Sequence, residues 1–253
     1  MPEGMCRLCN KFGKLSYEHV PPKVNFNKKT RFQSIPFMDY IKEHNPLETK
    51  FKGKIEQGGI GYYSLCQTCN NFLGTTYVKD FQKYSNTFIE FAKKKHLNAF
   101  ELTMHDFSAL NVLKQIISMF FSINDELFSK NNRDLAEFIL IPSSNKLPNR
   151  FRVFNYLKTE GQLRNLPITA LVNLETKRNV IGTEFAFPPL GHVLTIDFNG
   201  NLPYHQEITS FKDYQFSKLV SFDMKFFRLP THLPFLLDYR DIATIKNALD
   251  KSL

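Results

Sequence analysis

CQTCNN, residues 66–71, sets two cysteines three positions apart and runs directly into a helical pattern. Beyond it, Tyr77, Phe81, Tyr84, Phe88 and Phe91 recur at intervals of three or four, the spacing of one helix face. Gly74 marks a place where that helix can break. Cys69 and Asn70 therefore fall at a helix N-terminus, where asparagine ordinarily caps free backbone N–H groups. Upstream, CRLC at 6–9 repeats the spacing, and these two pairs hold all four cysteines of the chain.

Two Cys-x-x-Cys pairs read as four thiolates, Cys6, Cys9, Cys66 and Cys69, around one tetrahedral structural zinc. A redox motif needs one pair, disulfides need an oxidising compartment, and bystander cysteines would not fall into two matched pairs. The 56 residues between the pairs exceed what a compact zinc ribbon needs, so something is inserted there. Within the insertion, FMDYIKEHNPL at 37–47 reads as one or two helical turns ended by Pro46, and QGGIG at 57–61 as a bend leading into the strand YYSL. His44 in that stretch reads as a loop residue.

The chain has 253 residues and a formal net charge of +9, unevenly spread. Residues 1–100 hold 16 Lys and Arg against 8 Asp and Glu, a net +8; residues 101–253 hold 17 against 16, a net +1. Basic residues alternate with aromatics in KVNFNKKTRF at 23–32 and FKGK at 51–54, which suits phosphate contacts as well as a solvated face. No apolar run approaches the roughly 18 residues needed to cross a bilayer. MPEGMCRLC lacks a charged segment followed by an apolar core, so the expectation is a cytoplasmic protein without a membrane partner.

Between the cysteine pairs, KLSYEHVPPK at 14–23 puts Glu18 and His19 side by side before two prolines. In a regular strand these neighbours point to opposite faces. Pro21 and Pro22 fix φ and donate no hydrogen bond, so they stiffen the chain as it leaves. Taken alone, such a stretch is a surface turn.

The order Cys-x-x-Cys, Glu-His, Cys-x-x-Cys-Asn resembles that of the HNH, or ββα-metal, endonucleases built on a zinc-binding treble clef, over residues 5–80. The resemblance implies structural zinc on the four cysteines, a catalytic Mg²⁺ or Mn²⁺ on Glu18 and Asn70, and His19 as general base. Those types suit the chemistry: hard cations prefer oxygen donors, and a largely neutral imidazole can take a proton from water. It further implies hydrolysis of phosphodiester bonds in nucleic acid, DNA foremost, and a part in phage defence. Three departures stand out. Glu18 occupies a position usually held by Asp; Gly61 stands where many members carry an Asn that orients the base; and Asn71 competes with Asn70, which directly follows the cysteine and is favoured. A family-type arrangement would place the Glu-His pair in irregular backbone at a strand end.

Past residue 100 the character changes. FSALNVLKQIISMFFSIN at 107–124 reads as a buried helix capped by Ser108, NDELFSKNNRDL as a surface turn, and EFILIP, FRVFNYL, ITALVNLE, VIGTEFAF and HVLTIDF as strands. DIATIKNALDKSL is a closing amphipathic helix. His192, His205 and His232 lack ligand spacing. The expected fold is α+β: a zinc-bound treble-clef or ββα-metal module over residues 1–100, and a mixed helix and β-sheet domain over 101–253. The second part carries no catalytic motif, which suits a regulatory, target-selecting or self-associating role. The alternative to a nuclease is a non-catalytic zinc-binding module for nucleic acid or protein, and a redox sensor with labile zinc is a further one.

Overall fold

The computed structural model describes residues 1–34, 53–93, 98–161, 163–173, 178–233 and 235–250. The helical turns expected at 37–47, with His44, lie outside the described residues.

Strands β1 (Glu3–Met5) and β2 (Phe12–His19) form an antiparallel pair across the first cysteine pair. Short strands β3 (Phe32–Ser34) and β4 (Lys54–Glu56) pair with each other, and β5 (Gly61–Cys66) returns antiparallel to β2, giving the order β1-β2-β5. Helix α1 (Gln67–Thr76) starts directly at the end of β5, followed by α2 (Val78–Thr87) and α3 (Ile89–Lys93). The breaks fall at Tyr77 and Phe88 rather than at Gly74. Tyr77 is fully buried and its hydroxyl donates to Ile139 O at 2.7 Å, so the helix turns where a core side chain must reach its neighbour. Gly74 faces open space, where nothing forces a bend.

Beyond β6 (Ala99–Phe107), every residue of α4 (Ala109–Ile123) is buried. Ser108 occupies its N-cap position, but the hydroxyl makes no capping bond. Lys114 survives burial in α4 because its ammonium donates to Ile141 O at 2.6 Å and Pro142 O at 2.8 Å.

Two expectations fail next. NDELFSKNNRDL is not a simple turn and EFILIP is not a strand; they form α5 (Glu126–Asn131) and α6 (Arg133–Leu140). Asp125 starts α5 by accepting the Phe128 N–H at 2.9 Å. In α6 the buried residues are Leu135, Ala136, Phe138 and Ile139, a helical face that outweighs the β-type composition of EFIL.

The expected strands then appear as β7 (Phe151–Leu157), β8 (Arg164–Asn173), β9 (Arg178–Phe187) and β10 (Leu190–Ile196). With β11 (Gln206–Glu207) they make an antiparallel sheet ordered β11-β7-β10-β9-β8. Strand β12 (Val220–Phe227) pairs with β6, and α7 (Ile242–Asp250) follows. The β6–β12 pair was not anticipated, although Phe100, Leu102 and Met104 alternate as a half-buried strand should.

One face of the five-stranded sheet packs on α4. Asn124 joins them, donating to Phe120 O at 2.8 Å and Thr183 Oγ1 at 3.0 Å while accepting the Ile168 N–H at 2.6 Å. A single buried cluster runs from Cys6, Leu8 and Leu65 through Phe81 and Tyr84 to α4 and on to Phe185 and Leu194. It is continuous across residue 100. A smaller cluster, including Phe154, Val180 and Leu236, covers the opposite face of the sheet. Among the described residues no helix is long and apolar enough to cross a membrane.

Phe120 is fully buried against Phe185, with ring centroids 5.1 Å apart. Phe120→Ala is expected to remove about 3–5 kcal/mol of stability, read as a lower midpoint in urea unfolding.

Candidate functional site: a four-cysteine centre beside Glu18 and His19

The first cysteine pair lies in the turn between β1 and β2. Asn10 closes that turn at φ 57°, its N–H donating to Cys6 O at 2.8 Å, and the Cys6 N–H donates to Lys11 O at 2.9 Å. The second pair straddles the β5–α1 junction, with Cys66 last in the strand and Cys69 in the first helical turn. All four sulfurs lie within 4.8 Å of one another, and Cys9 Sγ is 3.8 Å from Cys66 Sγ. Zinc–sulfur bonds of about 2.3 Å in a tetrahedron require sulfurs about 3.8 Å apart. A disulfide would need about 2.05 Å, and all four cysteines are free. The four cysteines can thus hold a metal ion, and their spacing suits zinc.

Proton sharing within the cluster points the same way. The hydrogen bond from Cys69 draws Cys6 down to about 4, while that same contact, then burial, pushes Cys69 up; burial pushes Cys9 up. Crowded sulfurs cannot all ionise unless a cation replaces the protons. The first pair is also fastened to the rest of the chain. Arg7 Nη1 donates to Ser122 O at 2.6 Å near the end of α4, and Ser129 Oγ donates to Arg7 O.

Next to this centre, β2 ends with Glu18 and His19. Both stay in regular pairing, opposite Tyr62 and Gly61, so the irregularity is not at the pair itself. It lies one step earlier, where the register passes from Ser16↔Leu65 to Tyr17↔Tyr63 and leaves Ser64 as a bulge on β5. The Ser64 carbonyl accepts the Arg7 N–H at 2.9 Å, so the bulge also receives the first cysteine turn. Strand alternation puts Tyr17 and His19 on one face, their rings 4.9 Å apart edge to face, and Ser16 and Glu18 on the other.

Asn70 addresses the second face. Its amide nitrogen donates to Ser16 Oγ at 3.0 Å and approaches Tyr17 O at 3.5 Å, leaving the amide oxygen without a partner among the described residues. Asn71 is turned away and accepts from Gln67 at 2.7 Å on the exposed side of α1. Glu18 is 7% exposed and has no hydrogen-bond partner among the described residues. Burial alone pushes its carboxyl up to about 8.

On the other face, His19 Nε2 lies 3.1 Å from Gly58 O. A carbonyl only accepts, so Nε2 carries the proton and the neutral ring keeps its lone pair on Nδ1. Burial lowers the His19 pKa, the Gly58 bond opposes this, and Lys23 nearby lowers it further.

The chain that presents Gly58 is tightly held. Asn27, fully buried, donates to Pro21 O at 2.7 Å and Ile60 O at 2.8 Å and accepts the Ile60 N–H at 2.8 Å. It therefore ties the exit of β2 to the entry of β5. Gly59 sits at φ +102°, and a Cβ there would lie 2.0 Å from Asn27 O. At Gly61 a Cβ would lie 2.2 Å from Glu18 O, so this position has no room for an orienting side chain. The Gly58 carbonyl holds the ring instead. Nothing in KVNFN singled out Asn27, whose partners are backbone groups of Pro21, six residues back, and Ile60, 33 residues on. Elsewhere, His192 is fully buried with Nδ1 2.6 Å from Asn155 Oδ1, a core histidine. Among the described residues the cysteines are the one group of three or more His, Cys, Asp or Glu close enough to share an ion.

Purified protein is expected to carry one zinc per chain by elemental analysis, and Cys69→Ser to lose it together with much of its thermal stability. A second expectation concerns Glu18 with zinc in place and no other divalent cation. Its folded pKa of about 8 lies above the usual carboxylate value, so folding loses stability as pH rises from about 4.5 to about 8. Glu18→Gln should therefore raise the melting temperature, by nothing at pH 4 and by a growing margin up to pH 8. Equal melting curves at pH 8 would mean that the carboxyl is solvated.

No family model matches the chain, and neither do any of the curated proteins or solved structures compared with it.

Proposed function

We propose that the chain is a metal-dependent endonuclease of the HNH type, built on a zinc-bound treble clef, that hydrolyses phosphodiester bonds of nucleic acid, with DNA as the preferred substrate. The observation that carries this reading is Glu18: a carboxyl 7% exposed and without a hydrogen-bond partner among the described residues, on the strand face that Asn70 addresses, followed by a histidine of defined tautomer on the opposite face. An unpaired buried carboxyl is costly unless a cation neutralises it, and a purely adhesive module has no use for one. The donor set, one carboxylate and one amide oxygen, fits Mg²⁺ or Mn²⁺.

Glu18 and the Asn70 oxygen would hold that cation, whose chemistry is to stabilise charge developing on the phosphate and the departing 3′ oxygen. His19 acts as the base. With its proton on Nε2, Nδ1 would take a proton from the attacking water as the water oxygen bonds to phosphorus and the 3′ oxygen leaves, giving 5′-phosphate and 3′-hydroxyl ends. Because Glu18 and His19 leave β2 on opposite faces, this step requires the phosphate to sit at the end of the strand, within reach of both. Asn27 and the Gly58 carbonyl keep the ring in that tautomer. Exposed Lys23, Lys28, Lys29, Arg31 and Lys54 supply charge for the phosphate backbone. A part in phage defence rests on the family resemblance alone.

Supercoiled plasmid incubated with the protein is expected to be nicked with added Mg²⁺ or Mn²⁺ and not without. His19→Ala should lower the rate at least about 100-fold while zinc content and circular dichroism stay unchanged. Undiminished cleavage by His19→Ala would remove the histidine from the mechanism. Absence of cleavage of both DNA and RNA, alongside retained nucleic-acid binding, would favour the zinc-binding interaction module instead.

A further inference from the structure

The five-stranded sheet is covered unequally. Its α4 side is filled by a helix, but among the described residues its other side is roofed by the chain after β10 and the chain after β12. Between this roof and the ends of β8 and β9 lies a cleft of about 810 Å³, lined by Leu171, Val180, Phe198, Leu202, Leu229 and Leu236. Concave, mostly apolar spaces of this size are those that take small molecules.

The roof is pinned in place. Arg164 and Glu184 form a buried ion pair at 2.7 Å. The same guanidinium also donates to the carbonyls of Leu233, Phe235 and Asp238, so a buried charge holds the segment that carries Leu236 and Leu237. Tyr239, whose ring lines the cleft, donates its hydroxyl to Glu184 Oε1 at 2.8 Å, as Tyr156 does at 2.7 Å. The walls are thus preformed, and ordering them costs an incoming molecule little.

Two bulky residues at this cleft sit in the left-handed region, Tyr204 at φ 69° and Leu237 at φ 65°, and the residues are 62% and 38% exposed. Large side chains adopt that backbone only against a cost, and such strain gathers where a chain clamps a ligand. The polar groups show what the ligand lacks. Arg240, on the cleft wall, is already closed on Asp238 by bonds of 2.9 and 2.7 Å, and His205, whose Nδ1 donates to Pro203 O at 3.0 Å, keeps a buried Nε2 without a partner among the described residues, so the lining asks for a hydrogen-bond donor rather than a charge. Phe198, Tyr204 and Tyr239 offer ring faces and edges instead.

We infer that this cleft is a binding site for a small, neutral, largely apolar molecule that carries an aromatic ring. The inference does not depend on nuclease activity, since none of its residues belongs to the Glu18–His19 site.

Two probes with one body separate the contributions: N-phenyl-1-naphthylamine, which is neutral, and 8-anilinonaphthalene-1-sulfonate, the same frame with a negative charge. Fluorescence titration of the full-length protein should show the neutral probe saturating at one per chain and the sulfonate binding at least tenfold more weakly. Tyr204→Ala, at an exposed position that should not disturb folding, is expected to weaken the neutral probe at least fivefold. The chain has no tryptophan, so an introduced indole reports by itself. Leu171→Trp, inside the cleft, should transfer excitation to the bound probe more efficiently than Leu219→Trp, whose position is exposed and outside the cleft. Failure of the neutral probe to saturate, equal affinity for both probes, or unchanged affinity in Tyr204→Ala would each overturn the assignment.

Discussion

A helix buried on every side has to be covered on every side. Helix α4 imposes that condition, because its fifteen residues are all buried and few of them are polar. One flank is covered by α2 and β5, another by α6, and a third by the five-stranded sheet. Three of the polar exceptions are answered, Lys114 by two carbonyls, Asn111 by Asp80 at 2.7 Å and Ser118 by Gln115 O at 2.7 Å, whereas the side chains of Gln115 and Ser122 have no hydrogen-bond partner among the described residues.

The candidate site is laid onto this frame by β2 and α1. Strand alternation sends Glu18 toward Asn70 and His19 toward Gly58, so the two adjacent side chains meet different partners. Glycine at 59 and 61 lets β5 and its approach come closer to β2 and Asn27 than any side chain would permit. The result is a largely buried carboxyl and an imidazole with a defined proton position, produced by backbone contacts more than by side-chain pairs.

Much of this was legible in the residues. Paired cysteines announce shared ligation because spacing alone brings two sulfurs together, and the apolar content of residues 107–124 announces burial. The strands β7 to β10 followed from their β-branched and aromatic content. EFIL misled because four consecutive apolar or long residues fit either period; the arbiter was Leu135 and Ala136, which extend the helical face backwards. The choice between Asn70 and Asn71 depended on the helix phase, which Cys66 sets by ending β5 and starting α1. The hold on His19 could not be read at all, since a carbonyl leaves no trace in residue identity. Nor could the role of Asn27, which satisfies backbone groups on both sides of it, at Pro21 and at Ile60.

The contacts of Arg7 tie the first cysteine turn to the C-terminal end of α4 and to Ser129, far along the chain. A four-cysteine knot joined to its neighbours by a flexible linker can be exchanged between proteins as a cassette, because its surroundings do not notice. This one cannot be lifted out in that way. Its sulfurs, the end of the central helix and the inner face of the sheet share one interior, so a change in any of them is inherited by the others, and their sequences are bound to drift together.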